Sequence, residues 1–370
     1  MNDRDMKTVA NSLLQTISTP AVIVDWEQVT KNVEQLANQA KERGVRIMPH
    51  VKTHKSVKIA KLQLDAGAYG LTCAKISEAK AMIPSGVKRV FLAHSLVTRV
   101  KVEALLELAE ELDELILAAT SLEQAKCLAA LLEPFGRVFP CLLAIDSGLG
   151  REGCRTSEEL IQLKAFVDGV SAFEYRGIYT HEGYTYGSSP DEIAEEARKV
   201  ARLLVDSRDA IGGEGELWPG CSVTARMMIN QEGVTGIRPG AYVFGDQFLT
   251  LMTEAMDWGD VSLVVASTVV DKPRPGLALI DAGSKVFSSD RLGQHPFAIP
   301  LDGRDFEVTR LSEEHAFLTG TDVVSLEIGE VVLFVPQHVC PVVNLTDQMI
   351  ALSKDGEPEA LPVDARGCVY

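Results

Sequence analysis

The stretch RVFLAHSLVTRVKVEALLELAEELDELILAAT, Arg89–Thr120, contains one complete strand–helix–strand repeat. Its apolar runs RVFLAH and LILAAT have the length and composition of buried strands. Between them, VKVEALLELAEELDE carries apolar residues at helical spacing and predicts an amphipathic helix. Because parallel strands need a crossover connection of this kind, the stretch predicts a parallel βαβ unit.

The same alternation extends over about 230 residues, a length typical of a closed barrel. The strand candidates are AVIVD, the run before PHVK, AYGLTC, RVFLAH, LILAAT, VFPCLLAID, FEYRGIYTH and GELWPG. Eight βα units predict a (β/α)8 barrel of the TIM type, with a doubly wound open sheet as the alternative. After about residue 255 the runs VSLVVASTVVD, GLALIDAG, EVVLFVP and QMIALSKDG predict a second, mainly β domain. We therefore expect a barrel over residues 20–254 and a β domain formed by residues 1–19 and 255–370.

Composition narrows the class of protein. The 370 residues include 36 Lys and Arg against 52 Asp and Glu, a formal net charge of −16. This balance disfavours binding to nucleic acid or to an anionic membrane through the general surface. The seven cysteines are scattered without a CxxC pair, so neither a disulfide framework nor a structural zinc cluster is indicated. No signal peptide and no membrane-spanning run is recognisable, and we expect a cytoplasmic protein.

The segment PHVKTHK, Pro49–Lys55, places a lysine at a predicted strand end. Active sites of barrels lie where strands end, and a partly desolvated lysine has a lowered pKa and reacts with carbonyls. Lys52 is thus a candidate Schiff-base lysine, with a surface lysine or an acid-paired lysine as the alternatives. GLGREG, Gly148–Gly153, fits the GxGxxG dinucleotide pattern but does not follow the first strand, so a flexible loop or an inward-pointing Arg151 also fits.

A second pair of residues suggests a metal site. In QHVCP, which follows the strand EVVLFVP, His338 and Cys340 lie two residues apart. On an extended segment such residues point the same way and can bind one ion. A buried thiol beside a surface histidine is the alternative.

Several further motifs occur in an order that resembles a known family. They are TPAVIVD, PHVKTHK, KISEAKAMIPSGV, IDSGLGREGC, YTHEGYTY, PGCSVTAR, EGVTGIRPGAYVFGD, ALIDAGSKVFSSD, SEEH and HVCPVVNLTD. Together they resemble the fold-type III pyridoxal-phosphate enzymes, with their alanine-racemase-like barrel, in the branch of D-serine dehydratase and D-threonine aldolase. The resemblance implies that Lys52 anchors pyridoxal 5′-phosphate and then acts as the base at the substrate α-carbon.

The resemblance also implies roles for other residues. Arg151 would approach the pyridine nitrogen, and His181 would act in catalysis at the substrate. The remaining cofactor contacts would be Gly220, Cys221, Ser222 and Thr224 around the phosphate, together with Tyr184 and Tyr242; Tyr186 is a further candidate. We expect His50 and His54 to shape the pocket and His315 to reach the site. Nothing beyond their positions suggests a functional role for His94 and His295, and we interpret them as structural.

In the family the pair corresponding to His338 and Cys340 binds a divalent metal, and imidazole with thiolate favours Zn²⁺. The implied function is a zinc-dependent D-serine dehydratase, which forms pyruvate and ammonia by β-elimination. The alternatives are an aldolase or dehydratase for D-threonine or another D-3-hydroxy amino acid such as 3-hydroxyaspartate, and a non-catalytic pyridoxal-phosphate carrier. A small D-amino acid is the expected substrate, and a homodimer is the expected assembly.

Overall fold

The computed structural model describes residues 17–353 and 357–370. These residues form two compact units. The first comprises the described residues up to Val33, Thr53–Ser56 and Ala241–Arg366, and the second comprises Glu34–Lys52, Val57–Gly240 and Gly367–Tyr370. The domain bounds expected from the sequence stay a prediction, and residues 1–16 of the expected β domain lie outside the described residues.

The strands follow the chain in this order: β1 (Ala21–Asp25), β2 (Arg46–Ile47), β3 (Leu71–Cys73), β4 (Arg89–Leu92), β5 (Glu114–Ala119), β6 (Phe139–Ile145), β7 (Phe173–Thr180), β8 (Glu216–Trp218), β9 (Gly236–Ile237), β10 (Leu263–Arg274), β11 (Leu277–Ile280), β12 (Ala298–Pro300), β13 (Glu307–Leu311), β14 (Ala316–Thr319), β15 (Val331–Pro336), β16 (Gln348–Leu352) and β17 (Glu359–Pro362).

The α-helices are α1 (Trp26–Glu42), α2 (Val57–Asp65), α3 (Ile76–Met82), α4 (Arg99–Ala109), α5 (Leu122–Leu132), α6 (Ser157–Gly169), α7 (Pro190–Ala210), α8 (Ala225–Met228), α9 (Ser284–Phe287) and α10 (Val339–Asn344). No helix within the described ranges combines the length and the apolar character needed to cross a membrane.

The second unit contains eight parallel strands. β3 to β8 form one sheet in sequence order, and β2 pairs with β9. A bridge between His50 and Thr72 joins β2 to β3, and the Thr235 N–H donates to the Leu217 carbonyl at 3.1 Å to join β8 to β9. Backbone hydrogen bonds therefore run around all eight strands, as expected for a barrel and not for an open sheet.

One of the eight strands predicted for the barrel is wrong. AVIVD forms β1, which pairs with β10 and β16 in the first unit, and the barrel's eighth strand is instead β9. β1 is buried along nearly its whole length, and continuous burial shows that both faces are covered without showing by which sheet. The two-residue β9 is too short to give a sequence signal.

Large side chains fill the interior of the barrel below the carboxyl ends of its strands. The cluster comprises Met48, Phe91, Ile116, Ala118, Leu142, Ala144, Tyr179 and Trp218. The ring of Tyr179 packs edge-on against that of Phe91 with centroids 5.0 Å apart. This packed interior fixes the strand ends that carry the candidate site.

The first unit is built on an antiparallel barrel, and the prediction of a mainly β region is confirmed. β10, β11, β14, β13, β12 and β15 pair in a ring that closes on the long strand β10. β1, β16 and β17 extend the sheet beyond this ring. Its core includes Ile23, Val264, Ala266, Val335 and Leu352.

Candidate active site

Lys52 lies where the sequence predicts it, at the carboxyl end of a barrel strand. It occupies a single 3₁₀ turn, Val51–Thr53, five residues after β2. The Nδ1 atom of His50 accepts a hydrogen bond from the Lys52 backbone N–H at 3.4 Å, which shapes this turn. We expected the Lys52 side chain to be partly desolvated. This prediction is wrong for the single chain, because the side chain is exposed. A strand end predicts the position of a side chain but not how much of it is covered.

His181 follows β7 in the same unit. Its Nδ1 contacts the carbonyl oxygen of Gly220, and because a carbonyl only accepts, Nδ1 carries the proton. Burial and the charge of Lys52 lower the pKa of His181 to about 3. Gly183 leaves room for the ring, since a Cβ there would lie 2.7 Å from Nε2. His181 is therefore a neutral imidazole whose Nε2 has a lone pair available to accept a proton.

A buried carboxylate organises the loop predicted to bind phosphate. Glu182 is fully buried and accepts hydrogen bonds from the Thr224 hydroxyl at 2.6 Å and from the Gly220 N–H at 3.2 Å. Burial raises the pKa of Glu182, and the hydrogen bonds oppose this effect. Two of the groups assigned to the phosphate thus bind Glu182 instead. Glu182 is a residue that sequence reasoning missed, although an acidic residue directly after a strand end is a visible signal.

The rest of this loop offers backbone donors. Val223 and Thr224 are buried, and among the described residues their N–H groups have no hydrogen-bond acceptor. The Ser222 hydroxyl accepts from the Gly240 N–H at 3.0 Å, and the buried Cys221 thiol lies 3.8 Å from the Thr185 hydroxyl. Buried N–H groups without an acceptor are costly, so the loop has the donor set that an anionic group would satisfy.

Two arginines differ sharply in their surroundings. Arg151, the predicted ring contact, is 54% exposed in its side chain and pairs with Glu152 at 3.4 Å. Arg238 is buried and donates to the carbonyls of Thr180 at 2.5 Å and Trp218 at 3.4 Å. Burial lowers the pKa of Arg238 to about 10, and its charge contributes to the low pKa of His181. Arg238 is a second functional residue that the sequence alone does not predict.

The GLGREG segment is a tight loop closed on a carboxylate. Asp146 Oδ1 accepts from the N–H groups of Gly148 and Gly150, both at 3.0 Å. A dinucleotide phosphate would need these same N–H groups, which are already bound to Asp146. The loop also follows β6 and not the first strand of a set, so the structure does not support the hypothesis of a dinucleotide site. The ring of Tyr184 lies against Gly148, and its hydroxyl donates to Glu196 at 3.2 Å.

His338 and Cys340 converge in the first unit. Their side chains are hydrogen-bonded. Burial lowers the pKa of His338, but the charges of Cys340 and Asp246 and the hydrogen bonds to Cys340 and Asp290 raise it, to about 10 in total. His338 is extended and Cys340 lies in the first turn of α10, so the predicted extended geometry for both residues is wrong. The pair meets because a helix begins between its members.

Other groups hold this pair in place. His338 Nδ1 and Asp290 Oδ2 are 2.6 Å apart, and the Thr53 hydroxyl lies 3.2 Å from Cys340 Sγ. Thr53 directly follows Lys52 in the chain. The buried Asp246 accepts from the Val339 N–H at 3.1 Å, and its burial raises the pKa to about 6. Asp246 and Asp290 are far from His338 in sequence, and the sequence gives no sign of either contact.

The other predicted residues lie as follows. Tyr242 is buried in a short 3₁₀ turn of the first unit, Ala241–Val243. His54 is buried, and its Nδ1 accepts from the Ser56 N–H at 3.1 Å. His315 is exposed between β13 and β14. Nothing is described for the Tyr186 side chain.

Residues 24–247 match the family of the alanine racemase N-terminal domain, and residues 262–352 match a serine dehydratase domain. The chain belongs to the alanine racemase N-terminal domain family. The first match covers most of the barrel unit, and the second covers most of the antiparallel barrel. The predicted resemblance to fold-type III pyridoxal-phosphate enzymes is confirmed.

Three curated relatives of this alanine racemase-like chain align over nearly its whole length. It is 27% identical to the 3-hydroxy-D-aspartate aldolase of Paracoccus denitrificans (strain Pd 1222), covering 96% of this chain and 93% of the relative. It is 28% identical to the D-threo-3-hydroxyaspartate dehydratase of Delftia sp. (strain HT23), covering 93% and 96%. It is 25% identical to the D-serine dehydratase of Dictyostelium discoideum, covering 94% and 96%.

Two solved structures of enzymes are also similar to this chain over nearly its whole length. The D-threonine aldolase of Filomicrobium marinum superposes with a TM-score of 0.85 at 29% identity, covering 96% of this chain and 97% of that one. A cysteine-to-alanine mutant of D-threo-3-hydroxyaspartate dehydratase, described as the metal-free form, gives a TM-score of 0.84 at 26% identity, covering 94% and 98%. The prediction of a pyridoxal-phosphate-dependent lyase is confirmed by these similarities.

The residues present fit the cofactor of this alanine racemase-like family. An exposed lysine amine, a neutral histidine and buried N–H donors without acceptors lie in one unit. The imidazole of His338 and the thiol of Cys340 likewise fit a divalent metal such as zinc, which prefers nitrogen and sulfur ligands. No group of three or more potential metal ligands occurs among residues 17–353 and 357–370, so any ion held here would keep open positions.

Proposed function

We propose that the protein is a zinc-dependent dehydratase of the D-serine dehydratase type, which eliminates the β-hydroxyl of a D-3-hydroxy amino acid such as D-serine. The observation that carries this proposal is the convergence of His338 and Cys340, with Asp290 against the imidazole and Thr53 against the thiol. A racemase acts at the α-carbon alone and has no use for a metal that activates a β-hydroxyl. A cysteine-to-alanine mutant of the relative D-threo-3-hydroxyaspartate dehydratase is in a metal-free form, and this supports the assignment of a metal to the pair.

The barrel residues would perform the proton transfer. Pyridoxal phosphate, when bound, supplies an electron sink for charge that develops at the substrate α-carbon. The Lys52 amine anchors the cofactor and then, once released, removes the α-proton. His181 stays neutral because of its low pKa, so its Nε2 can accept a hydrogen bond from the cofactor or the substrate. Glu182 fixes Gly220 and Thr224, and the loop presents the N–H groups of its neighbouring residues to the phosphate.

The pair of His338 and Cys340 would hold the group that activates the β-hydroxyl. Because Nδ1 of His338 is bound to Asp290, Nε2 is the atom left for a metal, next to the thiolate of Cys340. A divalent metal held by His338 and Cys340 would supply Lewis-acid assistance to a departing hydroxide. Removal of the α-proton by Lys52 and loss of hydroxide together give pyruvate and ammonia after hydrolysis.

An aldolase is the second candidate, favoured by the similarity to D-threonine aldolase and to 3-hydroxy-D-aspartate aldolase. The same residues would then promote cleavage between the α- and β-carbons, and D-threonine would give glycine and acetaldehyde. The non-catalytic carrier has no use for the His338–Cys340 pair. A homodimeric assembly and a cytoplasmic location remain expectations.

Two variants test the assignment of the two groups. Lys52→Ala should abolish the visible absorbance of the bound cofactor, and an undiminished band would rule out Lys52 as the anchor. Cys340→Ala should keep that absorbance but lose turnover and bound zinc. The matched control is Cys127→Ala on α5, a half-buried cysteine outside the site, which should retain all three. Full zinc content in Cys340→Ala would contradict the metal assignment.

A further inference from the structure

Two basic side chains contact each other at the mouth of the barrel. Lys75 Nζ lies 2.9 Å from His94 Nε2, and both residues are half-buried. An ammonium group can only donate, so the His94 ring accepts this hydrogen bond and is neutral. Burial and the charge of Lys75 lower the pKa of His94, in agreement with this state. His94 therefore holds the Lys75 ammonium in one position without neutralising its charge.

The register of the barrel places this pair level with Lys52. His50 is the partner of Thr72, and Cys73 is the partner of Leu92. Lys52, Lys75 and His94 consequently follow neighbouring parallel strands at similar heights, and such strands are about 4.8 Å apart. Ser95, which directly follows His94, donates to Glu152 at 3.3 Å, so the loop that carries Arg151 lies on the same side of the mouth as this pair.

The charge of Lys75 has no anionic partner in direct contact. Across residues 17–353 and 357–370, no carboxylate lies within 4.0 Å of its ammonium group. The two carboxylates whose charges raise the pKa of Lys75 also bind other groups: Glu78 accepts from the Ala74 N–H at 2.6 Å, and Glu152 contacts Ser95 at 3.3 Å and Arg151 at 3.4 Å.

The consequence for Lys75 is electrostatic. Burial and the positive charge of Lys101 lower the pKa of Lys75, against the effect of Glu78 and Glu152. A half-buried, oriented cation beside a reaction centre is stabilised when an anionic ligand approaches it.

We propose that Lys75, oriented by His94, binds the distal carboxylate of the substrate, which makes a D-3-hydroxy dicarboxylic amino acid the preferred substrate class. This inference rests on the proposed function, because the amino acid must be held at Lys52 for its side chain to reach the neighbouring strand end. Two of the relatives named above act on 3-hydroxyaspartate, which has such a carboxylate. Lys75 is then a specificity-determining residue and takes no part in the proton transfer.

The test compares two isosteric ligands without a β-hydroxyl, which cannot be dehydrated. Dissociation constants of D-aspartate and D-asparagine are measured by calorimetry on the holoenzyme loaded with pyridoxal phosphate and zinc. We expect D-aspartate to bind at least about tenfold more tightly, the effect of one charge-assisted hydrogen bond. Lys75→Met should bring the ratio close to one, and Lys75→Arg should restore part of the preference. Lys80→Met, an exposed lysine on α3 paired with Glu107, should keep the full ratio.

Equal affinities in the unaltered enzyme, or a preference that survives Lys75→Met, would overturn the inference. Turnover of D-serine with equal affinities would overturn it while leaving the proposed function intact. Failure to turn over any D-3-hydroxy amino acid would instead refute the proposed function, and the affinity ratio would still decide whether Lys75 recognises a carboxylate.

Discussion

The contacts of Glu182 predict a large effect for the substitution Glu182→Gln. The carboxylate accepts one hydrogen bond at each oxygen, from Thr224 and from Gly220. The amide of glutamine has a similar shape but only one acceptor, so its NH2 group must face either the Gly220 N–H, where two donors clash, or the Thr224 hydroxyl, which must then turn to accept and loses its bond to a carboxylate. A hydrogen bond to a charged group contributes about 1.5–3 kcal/mol, and we expect the variant to lose about 2–3 kcal/mol of unfolding free energy.

The assay is urea unfolding of the cofactor-free chain, followed by circular dichroism, together with the dissociation constant for pyridoxal phosphate. Affinity for the cofactor should weaken with stability, because Glu182 fixes the loop that offers its N–H groups to the phosphate. Glu195→Gln, an exposed change on α7, serves as the matched control and should alter neither quantity. A Glu182→Gln variant within about 0.5 kcal/mol of the unaltered chain and with unchanged cofactor affinity would refute this reasoning.

Three further predictions concern single side chains. His181 has a pKa near 3 when folded and about 6.5 when unfolded, so only the unfolded chain takes up its proton between these values and stability falls as the pH falls. Lowering the pH from 6.5 to 5 should therefore cost the cofactor-free chain about 1.6 kcal/mol more than it costs His181→Asn, and parallel stability curves would contradict this. Asp290→Ala should weaken zinc binding about tenfold in a chelator competition, because His338 loses its orienting partner, and unchanged affinity would exclude that role. Thr53→Val should weaken zinc binding in the same chelator competition, because Cys340 loses the hydroxyl that lies 3.2 Å from its thiol, and unchanged affinity would show that this contact has no influence.

The architecture was largely predictable because it depends on local patterns. Alternating strands and helices indicate a parallel barrel wherever the repeats are long enough, as in Arg89–Thr120. The exchange of β1 for β9 was not predictable, because a buried strand does not show which sheet will cover it, and Gly236–Ile237 is too short to read. The antiparallel ring likewise depends on pairings between strands far apart in sequence.

The site divides in the same way. Local sequence patterns predicted three of the site residues. Lys52 was predicted from its place at a strand end, and His338 and Cys340 were predicted from their two-residue spacing. The contact of His338 with Asp290 spans 48 positions, and that of Glu182 with Thr224 spans 42. Such partners come together only through the fold, and their residue types are ordinary surface types in the sequence. The pairing of Lys75 with His94 depends on strand register, which the sequence does not specify.

Product identification tests the central claim most directly. The chain is supplied with pyridoxal phosphate and Zn²⁺ and offered D-serine, D-threo-3-hydroxyaspartate and D-threonine in separate reactions. The account predicts ammonia together with the oxo acid of elimination, pyruvate from D-serine and oxaloacetate from the dicarboxylic substrate. Glycine with acetaldehyde or glyoxylate, and no ammonia, would contradict the dehydratase and establish the aldolase in its place.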